Sequence, residues 1–310
     1  MKVNILMATY NGEAYLAEQI ESIQKQSFTE WELLIRDDCS KDRTIEIITD
    51  FAQKDSRIKL INPGQAENYG VIKSFYTLVK HSTADYYFFS DQDDIWLPDK
   101  LALTLEEAKK HDQSQPLMVY TDLKVVDQNL NLITDSMIRS QSHHANTELR
   151  QELTENTVTG GTSLINHALA QRWTVTEGLL MHDWYLALMA SALGKLVYID
   201  QATELYRQHD NNVLGARTWS KLIKMLIPPT SLVTKYWRLI LTSQNQAKFL
   251  LRETLKPEDR DLLESFVTIL QVPILERISR LRKYRLAKNR WFHTLVFTSL
   301  IITKFGYRSK

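Results

Sequence analysis

Residues 86–101 read YYFFSDQDDIWLPDKL. Tyr86, Tyr87, Phe88 and Phe89 form a run too short for a helix and apolar on both faces, which predicts a strand buried on both sides, as in a parallel sheet. The chain then becomes acidic, with Asp91, Asp93 and Asp94 inside four residues and no basic residue nearer in sequence than Lys100. Like charges so close repel at neutral pH, and a divalent cation, Mg²⁺ or Mn²⁺, is the natural remedy because it takes oxygen ligands. A solvated acidic turn leading into a helix near Pro98-Asp99-Lys100 is the plainer alternative.

The same design repeats upstream. Short β-rich runs at 3–8, 31–37 and 58–61 are each followed by a helix-period segment, at 13–25, 41–52 and 69–80, and the strand at 86–90 leads to a helix at 100–111. This alternation predicts an α/β fold with a mostly parallel central sheet flanked by helices. Polar residues gather at the carboxyl ends of the strands: Thr9-Tyr10-Asn11-Gly12, Asp37-Asp38 and the acidic run. Open parallel sheets bind ligands beyond those ends, so three loops address one site.

The Asn-Gly turn before a helix offers backbone N–H groups to an anion, a nucleotide contact through Ala8, Thr9 and Tyr10, although Asn-Gly also makes ordinary turns. In the second loop Ser40 and Asp42 read as caps of the next helix, which leaves Asp38 to accept from a base imide or a ribose hydroxyl. Neither a GxGxxG pattern nor a Walker lysine is present, so dinucleotide oxidoreductases and P-loop NTPases have no support.

Of 310 residues 44% are apolar and 24% charged, which excludes disorder and collagen-like structure. A single cysteine, Cys39, permits no intrachain disulfide, the opening residues lack signal-peptide architecture, and the longest apolar run, 292–302, is short of the about 20 residues that cross a bilayer. A cytoplasmic setting is expected. The net charge of +1 conceals a division: residues 1–214 carry 19 Lys+Arg against 31 Asp+Glu, net −12, and residues 215–310 carry 19 against 6, net +13. The change near Gly215 is the expected boundary, with a catalytic domain over 1–214 (donor half about 1–120, acceptor half about 121–214) and a basic helical region over 215–310.

Together ILMATYNG, LLIRDDCSKDRT and YYFFSDQDDIW, in that order and spacing, resemble the family 2 glycosyltransferases of GT-A fold. SDQDDIWLPDKL looks like the rhamnosyltransferase-type branch, and length, motif wording and basic tail resemble streptococcal enzymes that extend rhamnose-rich cell-wall polysaccharide. The resemblance covers about residues 1–212. It implies a GT-A (Rossmann-like) fold and a nucleotide-diphosphate sugar donor, with Thr9 and Tyr10 lining the nucleotide, Asp38 at the base, Asp91 near the ribose and Asp93 holding the metal. Asp183, at the start of a helix over 184–193, takes the place of the general base, with an N-cap as its alternative. His182 stands where the family usually has a second acid. Trp184 is an acceptor-stacking candidate or a core aromatic, His209 a metal ligand, Arg207 a diphosphate contact, and the Gly160-Gly161 loop resembles the one beside the donor sugar.

The implied reaction is an inverting transfer of L-rhamnose from dTDP-β-L-rhamnose to a lipid-linked glycan, giving an α-linkage, 1,3 by resemblance. Other donors, UDP-glucose, UDP-galactose or UDP-N-acetylglucosamine, keep the same fold, and a non-catalytic nucleotide-sugar-binding scaffold is a reading from another class. The last third reads as helices at 219–227, 232–255, 257–285 (with Pro273 inside) and 289–305. Its positive run Arg277, Arg280, Arg282, Lys283, Arg285, Lys288, Arg290, followed at once by Trp291-Phe292, suits the surface of an anionic membrane at the inner face of the cell, or a contact between copies of the chain. No nucleic-acid reader motif accompanies the charge.

Overall fold

The computed structural model describes residues 1–64, 67–209 and 229–307. The expected boundary at Gly215 and the expected helix at 219–227 lie outside them.

Four strands build the first part of the sheet: β1 (Val3–Thr9), β2 (Glu32–Asp37), β3 (Ile58–Leu60) and β4 (Tyr86–Ser90). They pair in parallel in the order β3-β2-β1-β4, with Thr9 opposite Asp37 and Met7 opposite Ser90. Their carboxyl ends therefore finish almost level, and the three polar loops emerge side by side. Between them run helices α1 (Leu16–Gln24), α2 (Thr44–Lys54) and α3 (Gly70–His81), and α4 (Lys100–Ala108) follows β4.

The parallel pattern stops there. A two-residue strand β5 (Ile95–Trp96) follows the acidic run, and β6 (Leu117–Val126), β7 (Leu132–Thr134), β8 (Ser163–Asn166) and β9 (Lys195–Arg207) complete a nine-stranded sheet. β8 is antiparallel to both β4 and β6, β7 is antiparallel to β6, and β9 lies parallel to β6 but antiparallel to β5. Parallel pairing thus runs unbroken through the donor half, is interrupted by the antiparallel β8 and returns in the β6–β9 pair. Short helices α5 (Met137–Gln141), α6 (Leu149–Glu152) and α7 (His167–Arg172) precede α8 (His182–Leu193).

Side chains alternate across the sheet. Val3, Ile5, Met7, Leu33 and Phe88 face one core with Ile20 and Ile23 of α1 and Leu101 and Leu105 of α4. Leu6, Leu34, Tyr87 and Phe89 face the other, which holds Phe75 and Leu78 of α3 and most of α8. α8 is buried nearly all round, which explains its lack of an apolar stripe.

Helices α9 (Pro229–Leu250), α10 (Pro257–Thr268), α11 (Ile274–Lys283) and α12 (Trp291–Thr303) pack on this second core, into which Trp237, Ile240, Leu263, Phe266, Phe297 and Ile301 are built. The single helix expected over 257–285 is two, because Pro273 lacks the N–H that would continue the first. Much of the positive run is spent on the fold. Arg277 donates to Ile301 O (3.1 Å) and Ile302 O (2.5 Å), Arg280 pairs with Glu276, Lys283 with Asp261 (2.8 Å), Lys288 donates to Thr154 O (2.5 Å) and Arg290 to Ser140 O. Arg282 and Arg285 stay exposed with no ion pair among the described residues, beside the exposed Trp291, Phe292, Leu295 and Phe305.

Candidate active site

β9 organises the site. Its last residues run antiparallel to the acidic segment, with Glu204 paired to Trp96 and Leu205 to Ile95, so the chain beyond passes Asp94 and Asp93 in turn. Arg207 N–H donates to Asp94 Oδ1 (3.0 Å), and His209 Nε2 meets Asp93 Oδ2 at 2.7 Å. Asp93 and His209, 116 residues apart and both expected as metal ligands, are therefore in contact.

Arg207 does something other than expected. Its side chain is buried: Nε donates to Asp93 O (3.0 Å), Nη1 to Gln128 O (2.9 Å) and Nη2 to Glu18, and the guanidinium lies over Tyr15, 4.4 Å from the ring centre. Three of its N–H groups are thus given to the protein, and Arg207 braces the acidic loop.

The first two loops are braced too. The Gln92 amide accepts from Tyr10 N–H (2.8 Å) and donates to Tyr10 O (3.0 Å). Asn11 N–H donates to Ser40 Oγ, Gly12 N–H to Thr44 Oγ1 and Glu13 N–H to Asp42 Oδ2, so the backbone donors expected to attract an anion at this turn all have protein acceptors. The turn reading, not the anion reading, holds. Ser40 is not a helix cap either, since α2 begins four residues later and the Ser40 hydroxyl donates to Asp37 Oδ1 (2.5 Å).

Thr9 is buried and its hydroxyl donates to Asp37 Oδ1 (3.0 Å). The Asp38 carboxylate accepts from Arg36 Nη1 (2.5 Å), Tyr69 N–H (2.6 Å) and Gly70 N–H (2.8 Å), which pins the start of α3. Asp38, expected at the base, thus also holds the loop that leads into α3. Half-buried Ala8 and the exposed Tyr10 side chain remain open at this edge.

Near enough to act on Asp91, Asp183 sits in the first turn of α8, whose N-cap is Met181, so the capping alternative falls away. Burial pushes its carboxyl up to about 6, against the pull of the Trp184 and Gly160 N–H groups. Asp91 is pushed up to about 8, first by burial and then by Asp93, Glu204 and Asp183, while Lys100 pulls it down. Asp94 is raised first by burial and then by Glu204, Asp93 and Asp91, and its Oδ2 is buried without a hydrogen-bond partner among the described residues. Asp91, Asp93, Asp94, Glu204 and Asp183 thus share one electrostatic environment.

Trp184, the acceptor-stacking candidate, is a core residue: it is 4% exposed and its indole N–H donates to Glu152 O (2.8 Å). His182 is also in the core, its ring 4.3 Å from Phe75 and 5.0 Å from Phe89, and burial drives its imidazole down to about 3. A neutral ring replaces the family's usual second acid.

Among the described residues no group of three or more His, Cys, Asp or Glu side chains is disposed to hold a metal ion by itself. Two protein ligands nonetheless suit Mg²⁺ or Mn²⁺, which bind through one or two carboxylates plus waters and substrate phosphates. The Asp93–His209 contact, amid carboxyls whose affinity for protons is raised by burial and then by mutual repulsion, is a donor set that fits such an ion.

Residues 4–173 match the model of Glycosyl transferase family 2, more than half of the chain. The chain belongs to glycosyltransferase family 2. As a glycosyltransferase it is 30% identical over 228 residues, 68% of this chain and 74% of the relative, to the dTDP-rhamnosyl transferase RfbG of Shigella flexneri. It is 33% identical over 127 residues to the UDP-Glc:alpha-D-GlcNAc-diphosphoundecaprenol beta-1,3-glucosyltransferase WfgD of Escherichia coli, spanning 41% of this chain and 47% of that one. In structure it resembles Staphylococcus aureus TarS 1-349 in complex with UDP (TM-score 0.57, 17% identity, 99% of this chain and 82% of that chain). It also resembles the mannosyltransferase PcManGT of Pyrobaculum calidifontis in complex with GDP-Man and Mn²⁺ (TM-score 0.55, 14% identity, 96% and 78%). The glycosyltransferase shares their GT-A fold.

Proposed function

We propose that this glycosyltransferase moves L-rhamnose from dTDP-β-L-rhamnose to a lipid-linked glycan with inversion at the anomeric carbon, with Asp183 as general base. The observation that carries the site is the meeting of Asp93 and His209, with a buried Asp183 near enough to act on Asp91. The sugar is supported by the likeness to the Shigella rhamnosyl transferase. UDP-glucose is the second reading, favoured by the match to the Escherichia coli glucosyltransferase.

Asp93 and His209 would hold a divalent cation together with the donor phosphates, and the bound ion would supply charge stabilisation to the departing nucleotide diphosphate. Tyr10 and the Ala8 edge would flank the nucleotide, with Asp91 near the ribose. Asp183, mostly ionised above its pKa of about 6, takes the proton of the acceptor hydroxyl as that oxygen bonds to the anomeric carbon and the bond to the diphosphate breaks. One base and one displacement invert the centre, so an α-rhamnoside forms from a β-donor.

No helix among the described residues is long and apolar enough to cross a membrane. The exposed Trp291, Phe292, Leu295 and Phe305, with Arg282 and Arg285 close in sequence, support contact with an anionic lipid surface that carries the acceptor. A panel of dTDP-rhamnose, UDP-glucose, UDP-galactose and UDP-N-acetylglucosamine, incubated with the enzyme, Mn²⁺ and a lipid-linked acceptor, tests the donor. Transfer from dTDP-rhamnose alone is expected, and exclusive use of a UDP-sugar rejects the rhamnosyl reading. In the same assay Asp183→Asn should lose transfer and keep nucleotide binding, whereas Asp93→Ala should lose both turnover and Mn²⁺-assisted nucleotide binding.

A further inference from the structure

Lys100 follows the acidic run closely in sequence, yet its partner comes from the far end of the sheet. Its ammonium and the Glu204 carboxylate form an ion pair at 2.5 Å with both side chains wholly buried. The same ammonium donates to Gly161 O and lies 4.3 Å from the centre of the Trp96 ring. One nitrogen thereby joins three elements: the start of α4 just after the acidic segment, the strand end of β9 that carries Arg207 and His209, and the Gly160-Gly161 loop whose N–H supports Asp183. The fit leaves no slack, because a Cβ on Gly161 would stand 2.7 Å from Glu204 Oε1.

Stability alone does not explain such a pair. Taking two charges out of water costs several kcal/mol per ion, and apolar replacements of buried pairs are often neutral or stabilising. The pair's position does explain it. Asp93 belongs to the acidic segment after β4 and Asp183 to the first turn of α8, and among the described residues Lys100 is the buried cation that touches both the loop donating to Asp183 and the strand leading to His209. We infer that Lys100 and Glu204 are a positioning pair that sets the spacing between the acidic segment and Asp183, so that acceptor oxygen, anomeric carbon and leaving oxygen fall in line. This rests on the roles proposed above for Asp93 and Asp183. Neither Lys100 nor Glu204 touches the reacting atoms.

The test is a neutral pair, Lys100→Met with Glu204→Gln, alongside the milder Glu204→Gln alone, which leaves the Lys100 bond to Gly161 in place. Melting temperature, nucleotide affinity, donor KM and kcat are measured on the full chain. The double variant is expected to melt near the wild type and to bind nucleotide as tightly, with donor KM little changed and kcat down on the order of 10²-fold, the scale of an ångström-level misplacement. Glu204→Gln should lose a smaller part of kcat. Wild-type kcat in a folded double variant overturns the inference. If the double variant does not fold, wild-type kcat in Glu204→Gln overturns it, and a reduced kcat at unchanged KM supports it. Asp183→Asn and Asp93→Ala in the same series separate the two claims: activity in those variants defeats the site itself, whereas their silence beside fully active pair variants defeats only the positioning role.

Discussion

Asp183 shows how much a single environment decides. A carboxyl that titrates near 6 because it is buried is ionised at neutral pH and still basic enough to accept a proton. Transfer should accordingly rise with pH through an apparent pKa of about 6, which a kcat–pH profile at saturating donor will show. The stability sign is opposite. The folded pKa lies above the unfolded one, so this group favours folding only while protonated, and the contribution is lost as pH rises toward the folded value. Asp183→Asn carries no charge and should therefore be more stable than wild type at pH 8, by up to about 3 kcal/mol, with no gain at about pH 4. Urea unfolding at the two pH values checks it. His182 offers a companion case: both ring nitrogens are buried without partners among Phe75, Phe89 and Trp173. Replacing it by Phe should leave stability equal or raise it by about 1 kcal/mol, the scale of an unsatisfied buried polar group, as read by thermal melting. The acids themselves were legible in the sequence because they cluster at a strand end. The duties of Asp38 and Arg207 were not, because a carboxylate or guanidinium that braces a loop has the same letter as one that meets a ligand, and only the count of donors already around it distinguishes them.

Among elements, β1 to β4 were readable as continuous apolar runs, and β9 was not. Its thirteen residues alternate irregularly between exposed and buried, and its pairing with β6 shifts register on either side of Asp122, so no period of two survives to be read. β5 is too short to announce itself at all. Yet these two strands bring Glu204, Arg207 and His209 to the acidic loop, so the contacts that escaped the sequence, of Arg207 with Asp93 and Asp94 and of Glu204 with Lys100, are the ones built by long-range pairing. The turn from α8 into β9 depends on Gly194, where a Cβ would lie 2.0 Å from Pro116 O, a backbone atom that cannot swing aside. Gly194→Ala should destabilise the protein by about 3 kcal/mol, the upper range of overpacking, visible as a lowered urea midpoint.

For the whole molecule, charge and packing divide the chain differently. The basic helices α9 to α12 complete the second core, and several of their cations are hydrogen-bonded to backbone carbonyls of the protein. The outer face of α12 is apolar: Trp291 is 79% and Leu295 55% exposed. Deleting α12 would open the core at Phe297 and Ile301, so the informative variant is Trp291→Ser, Phe292→Ser, Leu295→Ser together. It should keep the melting temperature and nucleotide binding of the wild type while losing co-sedimentation with anionic vesicles, and unchanged co-sedimentation would reject the lipid surface.

The place of β9 in the sheet also bears on how the protein is made. Residues 195–207 slot in parallel beside β6 and are followed by helices that seal the same core, so a nascent chain on the ribosome cannot close its sheet until two thirds of it has been synthesised. Until then the apolar faces of β6 and α8 stand open to other chains, and non-local pairing of this kind is slow to form. Fragments ending at residue 173, where the family match stops, lack β9 and should therefore aggregate on expression.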